Sequence, residues 1–212
     1  MPSRRDIARA LETVADFREP QVELEQYLTA PDLAAHICHL AAMRGDMDEA
    51  TVVDLGCGTG MLALGARCVE ADTIVGLDVD RAALETAVQN EKRLFDRRTI
   101  HWVEGDATLP PTCPTQATVI SNPPFGAQHG NRHADRAFLD ATAALASVSY
   151  TIHNAGSLDF VEQFASDHGA SVTDAFESTI PIDHRFDHHT DARSSIDVEV
   201  FRIDWAGPNG GE

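Results

Sequence analysis

From Gly45 onward, short apolar runs rich in β-branched residues alternate with amphipathic stretches of helical period, and that alternation admits few folds. Strands are expected near 51–55, 73–78, 99–103, 117–121, 146–152, 171–180 and 196–204. Helices are expected near 60–69, 80–95, 134–145 and 157–168. Strand–helix alternation through residue 152 implies parallel strands joined by right-handed crossovers. The last two strands have no helix between them and should pair antiparallel. The expected fold is therefore α/β: a Rossmann-like, seven-stranded, mostly parallel sheet with one antiparallel strand and helices on both faces.

Ahead of the sheet, Ile7, Leu11 and Val14 give residues 5–18 a helical period. Residues 21–30 look like a linking segment. Pro31 then opens a helix over about 31–43, with Leu33, Ile37 and Leu40 on one face, and Thr29 with Asp32 fits a capping box. The expected organisation is one domain, 1–206, whose first 45 residues form a helical segment, with 207–212 as a disordered tail.

No apolar run approaches the ~20 residues that span a bilayer. The N-terminal stretch is amphipathic rather than an apolar signal core, so a cytoplasmic protein is expected. Cys38, Cys57, Cys68 and Cys113 show no C-x-x-C spacing, which favours buried free thiols over metal or disulfide use. Net charge is −18, with a single lysine, Lys92, beside fifteen arginines, and 21 Asp against 13 Glu. That balance suggests a halophilic protein, whose self-repulsion molar salt screens. An acidic chain normally argues against nucleic acid. In molar salt counterion release contributes little, and stacking and hydrogen bonds must carry such binding.

Asp54-Leu55-Gly56-Cys57-Gly58-Thr59-Gly60 follows the first sheet strand and opens a helix. Its glycines permit tight turning and close approach to a ligand, but Met61 stands where a dinucleotide fingerprint would continue. The second strand ends at Asp78, placed to accept from ribose hydroxyls. The third ends at Asp106-Ala107, where an acid and the next N–H can meet an adenine edge. Asp54 can orient the loop or accept from an ammonium. Adenosine joined to a cationic amino acid, S-adenosylmethionine, accounts for all three acids without a pyrophosphate. Plainer roles compete: Asp78 can cap the following helix, and Asp106 can simply end a strand.

Asn122-Pro123-Pro124-Phe125 follows the buried fourth strand, and the prolines end it abruptly. This stiff loop lies just past a strand's carboxyl end, where α/β folds place ligands. The Asn122 amide oxygen and the Pro123 carbonyl can accept from an exocyclic amine, and Phe125 can stack on the ring. The plainer reading is a turn with a packed Phe. Adenine, guanine, cytosine and glutamine amines all remain open at this point.

Together with Leu24-Glu-Gln-Tyr-Leu-Thr29, Gly76-Leu-Asp-Val-Asp80, Asn122-Pro-Pro-Phe-Gly126 and Ser195-Ile-Asp-Val-Glu-Val200, these motifs resemble the methyltransferase-like-protein-five family. These are class I S-adenosylmethionine-dependent enzymes that make N6-methyladenosine in small-subunit ribosomal RNA. The likeness spans about residues 5–204. It implies that Gln26, Tyr27 and Thr29 close over the cofactor beside Asp54, Gly56, Gly58, Thr59, Gly60, Met61, Asp78, Asp106 and Ala107. It implies that Asn122, Pro123, Pro124 and Phe125 hold the target adenine.

The lysines that animal relatives carry after this loop and before the last strand are absent, which leaves His129, Arg132 and Arg136 as phosphate-contact candidates. His184, His188 and His189 match no zinc spacing, and no metal site is expected. The resemblance also implies a small zinc-binding activator protein that adds a strand at the 99–103 edge, covering an otherwise exposed Trp102. Rival readings are a methyltransferase for guanine N2 or a protein glutamine, a non-catalytic cofactor-binding RNA-assembly protein, and a nicotinamide-dependent oxidoreductase. Phe125 and the short N-terminal segment disfavour the glutamine target, the intact Asn-Pro-Pro-Phe loop disfavours the binding protein, and Met61 disfavours the oxidoreductase.

Overall fold

The computed structural model describes residues 1–110, 116–125, 134–182 and 194–206. Helices α1 (Arg4–Leu11) and α2 (Pro31–Met43) precede strand β1 (Thr51–Leu55). Then come α3 (Met61–Cys68), β2 (Thr73–Asp78), α4 (Arg81–Leu94), β3 (Ile100–Glu104) and β4 (Ala117–Ser121). The chain continues through α5 (Ala134–Leu145), β5 (Ala146–Asn154), α6 (Leu158–Asp167), β6 (Ser171–Ile182) and β7 (Ser194–Asp204). One seven-stranded sheet results, ordered β3-β2-β1-β4-β5-β7-β6. The pairs from β3 through β5 are parallel, and β7 runs antiparallel to both β5 and β6. The expected sheet with a single reversed strand is what forms.

β4 is buried along its whole length, as a central parallel strand covered on both faces must be. One face of the sheet packs under α1, α2 and α3 through Leu11, Ile37, Leu64, Ile74, Ile120 and Tyr150. Each such side chain contributes roughly 1.5–3 kcal/mol by leaving water. On the opposite face, Ala141 and Leu145 of α5 meet Val53, Leu55 and Val119. β1 has β2 on one side and β4 on the other, so the winding direction reverses between them. The crevice beyond the carboxyl ends of β1 and β4 is the topological switch point, where this architecture leaves room for a ligand.

Two expectations are corrected here. α1 ends at Leu11 rather than continuing to residue 18. Asn90 of α4 takes over the backbone of Ala15, accepting from its N–H at 2.9 Å and donating to its carbonyl at 3.0 Å. Val14 and Phe17 still bury, so the apolar period survives without the helix. β3 is an edge strand as expected, but Trp102 is not an exposed edge residue. Its indole lies against Gly60 and Gly76, and its N–H donates to Glu91 Oε2 at 2.9 Å. Glu91 Oε1 accepts from the N–H groups of Thr99 and Ile100 at 2.6 and 3.0 Å. One buried α4 carboxylate thus holds the start of the edge strand.

Candidate active site

The glycine loop after β1 is shaped by aromatic rings packed behind it. Gly58 has φ +52°, and a Cβ there would lie 2.7 Å from the Phe17 ring. Gly60 has φ +94°, and a Cβ there would lie 2.7 Å from Trp102. Both the left-handed backbone and the lack of space require glycine. Asn90 also donates to the Thr59 carbonyl at 3.0 Å, joining the loop to the N-terminal segment.

The three strand-end acids converge on one side of this loop. Asp54 is almost fully buried, and its Oδ2 accepts from the Ala63 N–H at 2.9 Å. Burial pushes its carboxyl up to about 8; the Ala63 N–H works in the opposite direction, and Asp78 adds to the rise. Asp78 accepts from the N–H groups of Gly58 at 2.7 Å and Asp80 at 2.8 Å. Burial raises its carboxyl too, and those two N–H groups pull it part of the way back. Asp78 does not cap α4: Asp80 does, accepting from the Ala82 N–H at 2.9 Å. Asp106 closes a small turn by accepting from the Thr108 N–H at 2.8 Å.

The linking segment forms a single 3₁₀ turn, Val22–Leu24, and then crosses the crevice. Gln26 donates to Asp80 Oδ2 at 2.7 Å and accepts from the Gln21 N–H at 2.8 Å, which fastens the segment across the site. Thr29 does not form the expected capping box. Ala30 occupies the N-cap of α2 with no side-chain bond, and Thr29 Oγ1 instead accepts from Asn122 Nδ2 at 3.0 Å.

These elements enclose a cavity of about 330 Å³, within the range of small-molecule sites. Gln26, Tyr27, Thr29, Asp54, Gly56, Gly58, Thr59, Met61, Asp78, Asp106, Ala107, Asn122 and Pro124 all line it. Four of their polar atoms are buried with no partner among the described residues: Tyr27 OH, Asp54 Oδ1, Thr59 Oγ1 and Asn122 Oδ1. Buried polar groups are rarely left unpaired, so this cluster marks where ligand atoms belong.

Gly60, Pro123 and Phe125 are not part of the cavity wall. Gly60 backs onto Trp102, Pro123 is buried, and Phe125 packs on Tyr27 with ring centroids 5.4 Å apart. Arg136 does not reach the cavity either; its guanidinium lies over the Phe164 ring, 5.5 Å from the centroid. His129, Arg132, Cys113 and the histidines at 184, 188 and 189 lie outside the described residues. Phe17 and Phe138 also line the cavity, and no motif in the sequence marks either of them. Phe17 and Phe138 seat against Gly58 and Gly56, a pairing across distant segments that no local spacing signals.

A family model described as "Methyltransferase small domain" matches residues 33–179. An rRNA N6-adenosine-methyltransferase METTL5 from Danio rerio is 31% identical, over 92% of this chain and 95% of its own length. The chain belongs to the METTL5 family. An uncharacterized protein from Methanocaldococcus jannaschii is 34% identical over 98% of this chain and 96% of its own. Among solved structures, a proposed RNA methyltransferase from Pyrococcus horikoshii superposes with a TM-score of 0.86 at 32% identity, covering 96% of this chain and 98% of that one.

This METTL5 member is an S-adenosylmethionine-dependent N-methyltransferase. The cavity fits that cofactor by its own chemistry. Asp54 Oδ1 and Asn122 Oδ1 are unpartnered acceptors, and Asp78 and Asp106 face the same space, as a cationic ligand bearing hydroxyls and an amine requires. No helix among the described residues is long and apolar enough to cross a membrane.

Proposed function

We propose that this enzyme methylates the N6 amine of adenosine in small-subunit ribosomal RNA. The observation that carries the reading is Asn122 Oδ1, a buried acceptor without a partner, set in the cavity wall beside Pro124 at the end of β4. The METTL5 names of the relatives in Danio rerio and Drosophila melanogaster support the same substrate class.

In this reading Asp54 accepts from the cofactor's ammonium, Asp78 from its ribose hydroxyls, and Asp106 with Ala107 holds its adenine edge. Gly56, Gly58, Thr59 and Met61 would support the ligand, while Gln26, Tyr27 and Thr29 would cover it. Bound S-adenosylmethionine supplies an electrophilic methyl group on a sulfonium. The remaining work is positioning. The amine of adenine is a poor nucleophile because its lone pair is delocalised into the ring. Acceptance of its two hydrogens by Asn122 Oδ1 and the Pro123 carbonyl favours a more tetrahedral nitrogen with an available lone pair. No strong base is needed, because the methylated nitrogen is acidic and sheds its proton afterwards. Phe125 offers a ring face to the base, and the target nucleotide must leave its stack to enter.

Two further features complete the proposal. A small zinc-binding activator protein pairs with the β3 edge, and the enzyme works in a salt-rich cytoplasm that screens its charge of −18. The test is methyl transfer from labelled cofactor to deproteinised small-subunit rRNA in molar salt, with and without such a partner. Label recovered as N6-methyladenosine supports the reading. Label on guanosine or on protein instead contradicts it.

A further inference from the structure

Asn122 is useful as an acceptor only if its amide is turned the right way round. A side-chain amide carries an oxygen at one end and two N–H donors at the other, and rotation by half a turn exchanges them. Reversed, it would present N–H groups to the amine of the target, donor against donor. Within the described residues, the Nδ2 end meets one partner, Thr29 Oγ1 at 3.0 Å. Thr29 is buried, and it belongs to the segment that Gln26 fastens to Asp80 across the cavity.

We propose that Thr29 is the positioning residue that sets Asn122 with its oxygen toward the target amine, so that closure of the 21–30 segment completes the amine-holding site. The proposal rests on the methyltransferase reading and extends it. A threonine hydroxyl can accept or donate, so it satisfies the amide either way round in the empty site. With an amine in place, only one arrangement satisfies every group: the amine donates to Oδ1, and Nδ2 donates to Thr29. Without the hydroxyl, that arrangement leaves a buried N–H unpaired. The penalty corresponds to about a 10- to 100-fold loss of rate. Because Thr29 sits on the covering segment, the amine site is complete only when that segment lies across the crevice.

The experiment is a double-mutant cycle on the full-length enzyme. Thr29→Val should lower kcat by about 10- to 100-fold, a larger loss than any change in cofactor affinity measured by calorimetry without RNA. Thr29→Ser keeps the hydroxyl and should restore most of the rate. Once Asn122 is replaced by Ala, Thr29→Val should cost little more, because both changes remove the same interaction. The Asn122 side-chain amide resonance of the RNA-free protein should shift in Thr29→Val and stay in place in Thr29→Ser. Additive losses, a loss confined to cofactor affinity, or a serine variant no better than valine would each overturn the proposal. The amide resonance does not depend on which substrate is methylated. If wild type methylates no adenosine, the substrate reading fails, while an unshifted resonance in Thr29→Val removes the proposal on its own.

Discussion

Asp54→Asn should stabilise the ligand-free protein and at the same time weaken its grip on the cofactor. Burial raises the Asp54 carboxyl from 3.8 to about 8. Between those values the folded chain retains a proton that the unfolded chain releases. The stability tied to that proton is therefore fully present below about pH 3.8 and is lost as pH rises through about 8. One unit corresponds to about 1.4 kcal/mol, so at pH 7 retaining that proton costs about 4 kcal/mol at most. Asparagine keeps an acceptor for the Ala63 N–H and has no charge to desolvate. Urea unfolding of both proteins at pH 4.5, 6 and 8 in the same salt isolates this group together with its coupling to neighbours such as Asp78, because titrations away from the site are common to the two. The gap should be small at pH 4.5 and widen to several kcal/mol in favour of the variant by pH 8. Added S-adenosylmethionine should then stabilise wild type much more than the variant, because the carboxylate proposed to meet the ammonium is gone. A variant less stable than wild type at pH 8, or a gap that does not change with pH, would refute the reasoning.

Two further changes test how the site is supported. Gly58→Ala should lower stability by about 1–3 kcal/mol and weaken cofactor binding, because its Cβ would lie 2.7 Å from the Phe17 ring on a left-handed backbone; an unchanged melting temperature contradicts this. Glu91→Ala should cost about 3 kcal/mol or more, because it strips the acceptor from the Thr99 and Ile100 amides and from the Trp102 indole. Hydrogen exchange at the start of β3 should accelerate with it, and continued protection there would show that Glu91 does not hold that edge.

The parts of this fold that repeat locally were legible in the sequence. Short apolar runs marked the strands and a period of 3.6 the helices, and the glycine loop and the paired prolines marked the carboxyl ends of β1 and β4. The parts that rest on contacts between distant segments were not. Residues 12–18 carry a helical apolar pattern, yet Asn90, far along the chain, captures Ala15 and ends the helix early. Thr29 has the spacing of a cap, but Asn122 takes its hydroxyl. Trp102 reads as an exposed edge residue until the space beside Gly60 and Gly76 is seen to receive it. Phe125 reads as a stacking face, and its contact with Tyr27, far back along the chain, is one that no local spacing signals. In each case the local signal was real, and a long-range partner decided the outcome.

The most direct test of the central claim compares modified nucleosides in small-subunit rRNA from a parent strain, a deletion strain, and deletion strains expressing wild type or Asn122→Ala. Removing one preorganised hydrogen-bonding group of this kind typically costs ~100- to 1,000-fold in rate. The account predicts that one N6-methyladenosine disappears on deletion, returns with wild type and stays absent with Asn122→Ala. An adenosine profile unchanged by deletion, or restored in full by Asn122→Ala, would contradict it.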